Sequence, residues 1–151
     1  MYLNTHTYYS LRYGTLAPRK LLEHLKKLEV RHFALTDINT TSACWELLRM
    51  ASEFKLKVSL GIDFRNRAQQ QFILLAENNL GFQKINEYLS PFLMEKKEIP
   101  PRAEPISNTF VIYPFQGQTY YPLRENEFIG VRAQDLNKLK FSPGRFHPEK
   151  L

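Results

Sequence analysis

The stretch "YLNTHTYYSLRYG", Tyr2 to Gly14, begins as an extended run, reaches a histidine and breaks into a polar turn that ends in glycine. Read as a strand followed by a loop, it sets the phase for what comes next. Pro18 opens a helix, where its missing N–H is no loss, and Leu21, Leu22, Leu25 and Leu28 recur at helical spacing. "RHFALTD", Arg31 to Asp37, is a second run of strand length ending in polar residues. After the polar "NTTS" a second helix carries the stripe Cys44, Leu47, Leu48, Ala51 and Phe54. "KVSLGID", Lys57 to Asp63, and "QFILLA", Gln71 to Ala76, are a third and a fourth strand. A third helix follows, with Phe82, Ile85, Leu89 and Phe92 on one face and Pro91 placed to kink or end it. Strand and helix in this order predict an α/β fold with a parallel sheet.

The character changes after residue 94. Residues 95–107, including "EKKEIPPRAEP", are charged and Pro-rich and read as a linker or surface loop. Beyond them "TFVIYPF" and "EFIGVR" are strand-like, "AQDLNKLKF" is a short helix candidate, and "SPGRFHPEKL" reads as a loose tail. The chain thus divides into a βα core over 1–94, a linker or loop over 95–107, and a continuation over 108–151.

Composition narrows the class. The chain has 151 residues, 43% hydrophobic and 24% charged, which are globular values. No apolar run approaches the about 20 residues a transmembrane helix needs, no basic-then-apolar leader stands at the N-terminus, and no membrane partner is expected. With one cysteine, Cys44, there is no internal disulfide, which fits a cytoplasmic protein. Lys plus Arg number 21 against 15 Asp plus Glu, a net charge of +6. That balance suits a polyanion, but the cations are scattered, and the pairs Lys26-Lys27 and Lys96-Lys97 sit beside acids. Solvated faces account for most of it, with weak DNA binding as the functional counterpart.

In parallel α/β folds chemistry collects at the carboxyl ends of strands. Those ends hold Asn4 and His6, then Asp37 with Asn39, then Asp63. Polar residues at strand ends also occur simply because they face water. Asp37 and Asn39 are expected to organise their turn and cap the following helix. Tyr9 to Leu11 are expected to pack under the rim, Cys44 to be a buried thiol, and Trp45 to belong to the core, with the edge of a contact surface as the alternative. Of the other histidines, His24 is expected to be exposed on the first helix, His32 to start its strand at the wrong end for the rim, and His147 to stand among prolines near the terminus.

In this order and at these separations, "NTHTYYSLRYG", "ALTDIN", "LGIDF" and "FILLAENNLGFQKINEYLS" resemble the opening of the polymerase and histidinol phosphatase (PHP) domain, in the version found at the N-terminus of the bacterial DNA polymerase III alpha subunit. The motifs there take the form H-x-H-x-x-Y-S-x-x-D-G, L-T-D-H and G-x-E. The resemblance covers residues 1–93 well and is weak from Glu95 onward. It implies a partial or distorted βα barrel. In active members several His, with Asp, Glu and sometimes Cys, hold metals that activate a water for phosphoester hydrolysis, in some polymerases as a 3′–5′ proofreading exonuclease. In others the metal site has decayed and the domain stabilises the polymerase or docks a proofreading subunit.

Carried over residue by residue, the ligands are depleted. The first His of the pair falls on Asn4, the second on His6, the turn Asp on Tyr13, the His after Thr-Asp on Ile38, and the Glu on Asp63. What remains, Asn4, His6 and Asp63, offers an amide oxygen, one imidazole and one carboxylate. That set suits at most one Mg²⁺ or Mn²⁺ and no tightly bound metal cluster. The resemblance therefore implies the N-terminal PHP region of a replicative DNA polymerase III alpha subunit, a fragment with no catalytic residues of its own. Its partners would be the rest of the polymerase chain and a proofreading subunit. Two alternatives stand beside it: a phosphoesterase or proofreading exonuclease with a minimal site, and a free-standing non-catalytic binding module.

Overall fold

The computed structural model describes residues 2–115, 122–140 and 150. The expected loose tail, with His147, lies outside them apart from Lys150.

Six strands form one sheet in the order of the sequence: β1 (Tyr2–Thr5), β2 (His32–Leu35), β3 (Lys57–Asn66), β4 (Gln69–Ala76), β5 (Thr109–Pro114) and β6 (Glu127–Gly130). Helix α1 (Pro18–Lys27) joins β1 to β2, α2 (Cys44–Ala51) joins β2 to β3, and α3 (Asn79–Glu95) follows β4. A short 3-10 turn (Ala133–Asp135) and α4 (Leu136–Lys140) come after β6. The sheet curls as a half-barrel, so the expected α/β class and partial-barrel architecture hold.

The expectation of a parallel sheet holds only at β1–β2–β3 and at β5–β6. β3 and β4 pair antiparallel, as do β4 and β5. For β3–β4 the reason is length: Arg67 and Ala68 alone separate the two strands, and a parallel return needs a crossover of about a dozen residues. Arg67 takes φ 55° to close that hairpin.

Alternation along the strands sorts the side chains into two layers. On the outer face Phe33 and Leu35 pack with Leu21, Leu22, Leu25 and Leu47 of α1 and α2. Ile62, Phe64, Phe72, Leu74, Val111 and Tyr113 pack with Ile85 and Leu89 of α3. The inner face is leaner, with Ala34, Ile73 and Leu75 buried and Ile112 against them. Residues 96–107 run as a loop, yet they set Ile99 and Ala103 into the α3 core. Asn66 tethers this loop, donating to the Ile99 carbonyl at 2.8 Å and accepting from the Ile99 N–H at 2.9 Å. Further along, Glu127 is fully buried and receives Arg102 at 2.8 Å, the Arg124 guanidinium at 3.0 Å, the Arg124 N–H at 2.7 Å and the Tyr113 hydroxyl at 2.8 Å. These bonds tie the 96–107 loop to β5 and β6.

Several side-chain expectations need correction. Helix α3 passes through exposed Pro91 and ends at Glu95, with Lys96 left-handed at φ 53°. Proline costs one main-chain bond there, on the water side, where the freed carbonyl can be solvated. Trp45 is 74% exposed rather than in the core, touching Phe82 edge-on at 6.5 Å. Leu28, past the end of α1, and Leu11, in the β1–α1 loop, are exposed. Cys44 is buried, as expected, and burial with the Asp37 charge pushes its thiol up to about 12.

Candidate functional site

The carboxyl ends of β1, β2 and β3 meet on the inner face, at the mouth of the half-barrel. Asp37 lies two residues past β2 and is buried. Its Oδ1 accepts from the Thr7 N–H and the Ser10 hydroxyl, and its Oδ2 from the Thr7 hydroxyl, each at 2.6 Å. Ser10 Oγ in turn accepts from the Ile38 N–H at 2.9 Å. Asp37 therefore anchors the β1–α1 loop, as expected of a turn-organising residue. Neither it nor Asn39 caps α2, whose N-cap is Ala43 with no side-chain bond.

Asn39 has a different task. It sits at φ 50°, a conformation asparagine tolerates better than most residues. Its side chain mimics a strand: Oδ1 accepts the Arg65 N–H at 2.9 Å and Nδ2 donates to the Arg65 carbonyl at 2.8 Å. Main-chain pairing between 37–39 and Asp63 extends the β2–β3 ladder up to this point.

The structure brings together the three expected ligand positions. Asp63 is fully buried, and its Oδ2 faces Asn4 Nδ2 at 3.4 Å and His6 Nε2 at 3.2 Å. Two further N–H groups reach the same oxygen, Arg65 Nε at 3.1 Å and Nη2 at 2.7 Å. The Arg65 side chain is 11% exposed, and the Tyr13 ring lies over its guanidinium at 4.6 Å. Burial alone would raise the Asp63 pKa, but the bonds from His6 and Arg65 outweigh it and hold the carboxyl below its ordinary value. Oδ1 and the Gln70 amide nitrogen are each buried without a close hydrogen bond, and the Gln70 side chain adds to the lowering of the Asp63 pKa.

The donor set does not fit the metal cluster the resemblance implies. Asn4 turns its amide nitrogen, not its oxygen, to Asp63, while its Oδ1 accepts from Thr36 at 2.8 Å. His6 Nε2 is engaged by the carboxylate, and the carboxylate by a guanidinium. Ile38 contributes only main chain. Among the described residues no three His, Cys, Asp or Glu are grouped to hold a metal ion. His24 is exposed on α1, and His32 binds Ser59 Oγ at 3.0 Å at the far end of β2.

Sequence reasoning missed Arg65 because it ended the third strand at Asp63. Continued by two residues, the period-2 alternation puts Arg65 on the same face as Asp63. That signal was in the sequence. The pairing of Asn39 with Arg65 had no sequence signal, because it depends on the β2–β3 register.

A cleft of about 710 Å³ opens beside this cluster. Tyr2, Leu3 and Asn4 of β1 form one wall, Gly130 to Arg132 the other, and Ile73 and Ile112 lie between them.

Among solved structures the chain is similar to a protein from Bifidobacterium adolescentis assigned as a metal-dependent phosphoesterase. The match has 13% identity, covers 98% of this chain and 79% of that one, and has a TM-score of 0.47. No curated protein matches the chain. No helix among the described residues is long and apolar enough to cross a membrane. The PHP domain family matches residues 3–113, most of the length and all of the cluster just described, and the chain belongs to that family.

Proposed function

We propose that this chain is a PHP domain without phosphoester chemistry of its own. Its role would be that of the N-terminal region of a DNA polymerase III alpha subunit in the cytoplasm: a scaffold for the rest of the polymerase and a docking surface for a partner such as a proofreading subunit. The observation that carries the non-catalytic reading is the state of the donors. Asn4, His6 and Arg65 all bond Asp63 Oδ2, and among the described residues no cluster of imidazoles and carboxylates stands ready to hold a metal and a water. The polymerase setting rests on the ordered motifs "NTHTYYSLRYG", "ALTDIN" and "LGIDF". On this reading no metal is tightly held.

The family relationship favours a second reading, a phosphoesterase or proofreading exonuclease working with one Mg²⁺ or Mn²⁺ on Asn4, His6 and Asp63. Such an ion would compete with the Arg65 guanidinium for Asp63 Oδ2, the oxygen that Asn4 and His6 face. A turnover assay separates the two. The purified chain is incubated with Mn²⁺, Mg²⁺ or Zn²⁺ and either an aryl phosphate or single-stranded DNA labelled for 3′ digestion. No turnover above the buffer rate is expected. Hydrolysis that disappears in His6→Ala would establish the enzyme reading in its place.

A further inference from the structure

We propose that Arg65 is the resident cation of this site, supplying from the chain itself the positive charge that a buried Asp63 requires. The inference rests on the non-catalytic reading above and deepens it.

A carboxylate with no exposure cannot stay ionised without compensation. Asp63 has 0% side-chain exposure, and its Oδ1 makes no close hydrogen bond. The close bonds fall on Oδ2, where four N–H groups converge: one from Asn4, one from His6 and two from Arg65. Arg65 is the permanent charge among them and lies nearest, at 2.7 Å.

Three features fix that guanidinium in place, which separates it from an ordinary surface ion pair. The Asn39 side chain holds both the N–H and the carbonyl of Arg65. The Tyr13 ring covers the guanidinium face, a contact that favours a cation. The arginine is itself largely buried. Tyr13, Asn39, Asp63 and Arg65 come from three separate segments, so the arrangement is a product of the tertiary fold. The domain would then reach its folded state with no metal to complete it.

A thermal double-mutant cycle on the full chain tests this, using wild type, Arg65→Met, Asp63→Asn and the double variant, each with EDTA and with Mn²⁺. Arg65→Met leaves an uncompensated buried charge and is expected to lower Tm by about 10 °C. The double variant, which removes the charge as well, is expected to melt above Arg65→Met. Wild-type Tm is expected to be the same in EDTA and Mn²⁺. A double variant melting no higher than Arg65→Met would overturn the proposal, as would an Arg65→Met variant as stable as wild type, or a wild-type Tm raised by Mn²⁺. If Arg65→Met yields no folded protein, a folded double variant supports the proposal and an unfolded one overturns it. A cycle that fails while the turnover assay stays blank ends this proposal alone. Metal-dependent turnover ends the non-catalytic reading first.

Discussion

Asp37 is the acid most easily mistaken for a catalytic group, and removing it gives the sharpest test of a structural role. The carboxylate is buried, lacks a cationic partner among its bonds, and receives three donors at 2.6 Å: the Thr7 N–H, the Thr7 hydroxyl and the Ser10 hydroxyl. Hydrogen bonds to a charged group contribute about 1.5–3 kcal/mol each, and a buried donor left unpaired costs about 1–3 kcal/mol. The contributions overlap. Both hydroxyls can rotate, and each already accepts another N–H, from Tyr9 and Ile38. Only the Thr7 N–H is left with nowhere to turn. For Asp37→Ala the sum is about 3–5 kcal/mol, a Tm lower by about 10–15 °C in a chain of this size. Asp37→Asn keeps the shape and one acceptor oxygen, and its NH₂ forces one hydroxyl to reverse, so about 1–2 kcal/mol is expected. Urea unfolding followed by far-UV circular dichroism ranks the three proteins. Asp37→Ala within about 1 kcal/mol of wild type, or less damaging than Asp37→Asn, would refute the reasoning.

Other consequences are open to measurement. Glu127 and Asp63 both titrate below their ordinary values, because bonds from Arg102 and the Arg124 N–H, and from His6 and Arg65, outweigh the effect of burial. A folded pKa below the unfolded one contributes stability that is complete above the ordinary values of 4.5 and 3.8 and is lost as pH falls through the folded values. Unfolding free energy should therefore drop steeply below about pH 4, and Glu127→Gln should flatten that acid limb; an unchanged limb would count against the Glu127 network. A Cβ at Gly81 would run into the Asn108 carbonyl, so Gly81→Ala should cost about 1–3 kcal/mol although alanine is the better helix former. A stabilised variant would show that α3 does not pack on that turn as described. Any DNA binding should be weak, independent of sequence and lost with added salt, because counterion release drives it. A titration in which affinity ignores salt would contradict this.

Much of the architecture can be read from the chain because its local signals agree with one another. Leu21, Leu22 and Leu25 at helical spacing, Pro18 at the first turn, and the apolar runs at 32–35 and 71–76 each point one way. Strand direction was less legible. Only the short gap between β3 and β4 betrays the antiparallel pair, and a reading that expects alternation passes over it. Trp45 next to an apolar stripe shows the limit of periodicity: one step along a helix turns a side chain by about 100°, enough to place it in solvent. At the site, Asn4, His6 and Asp63 were legible by position and they do converge. What they converge on was not legible, because Arg65 lies past the assumed strand end and is seated by Asn39 and Tyr13, from distant segments.

The central proposal is that this PHP domain folds around its own guanidinium and holds no metal tightly. Elemental analysis of the chain, purified without chelator, tests it most directly. The account predicts transition metal far below one equivalent per chain, unchanged in His6→Ala. About one or more equivalents per chain, lost in His6→Ala, would contradict it.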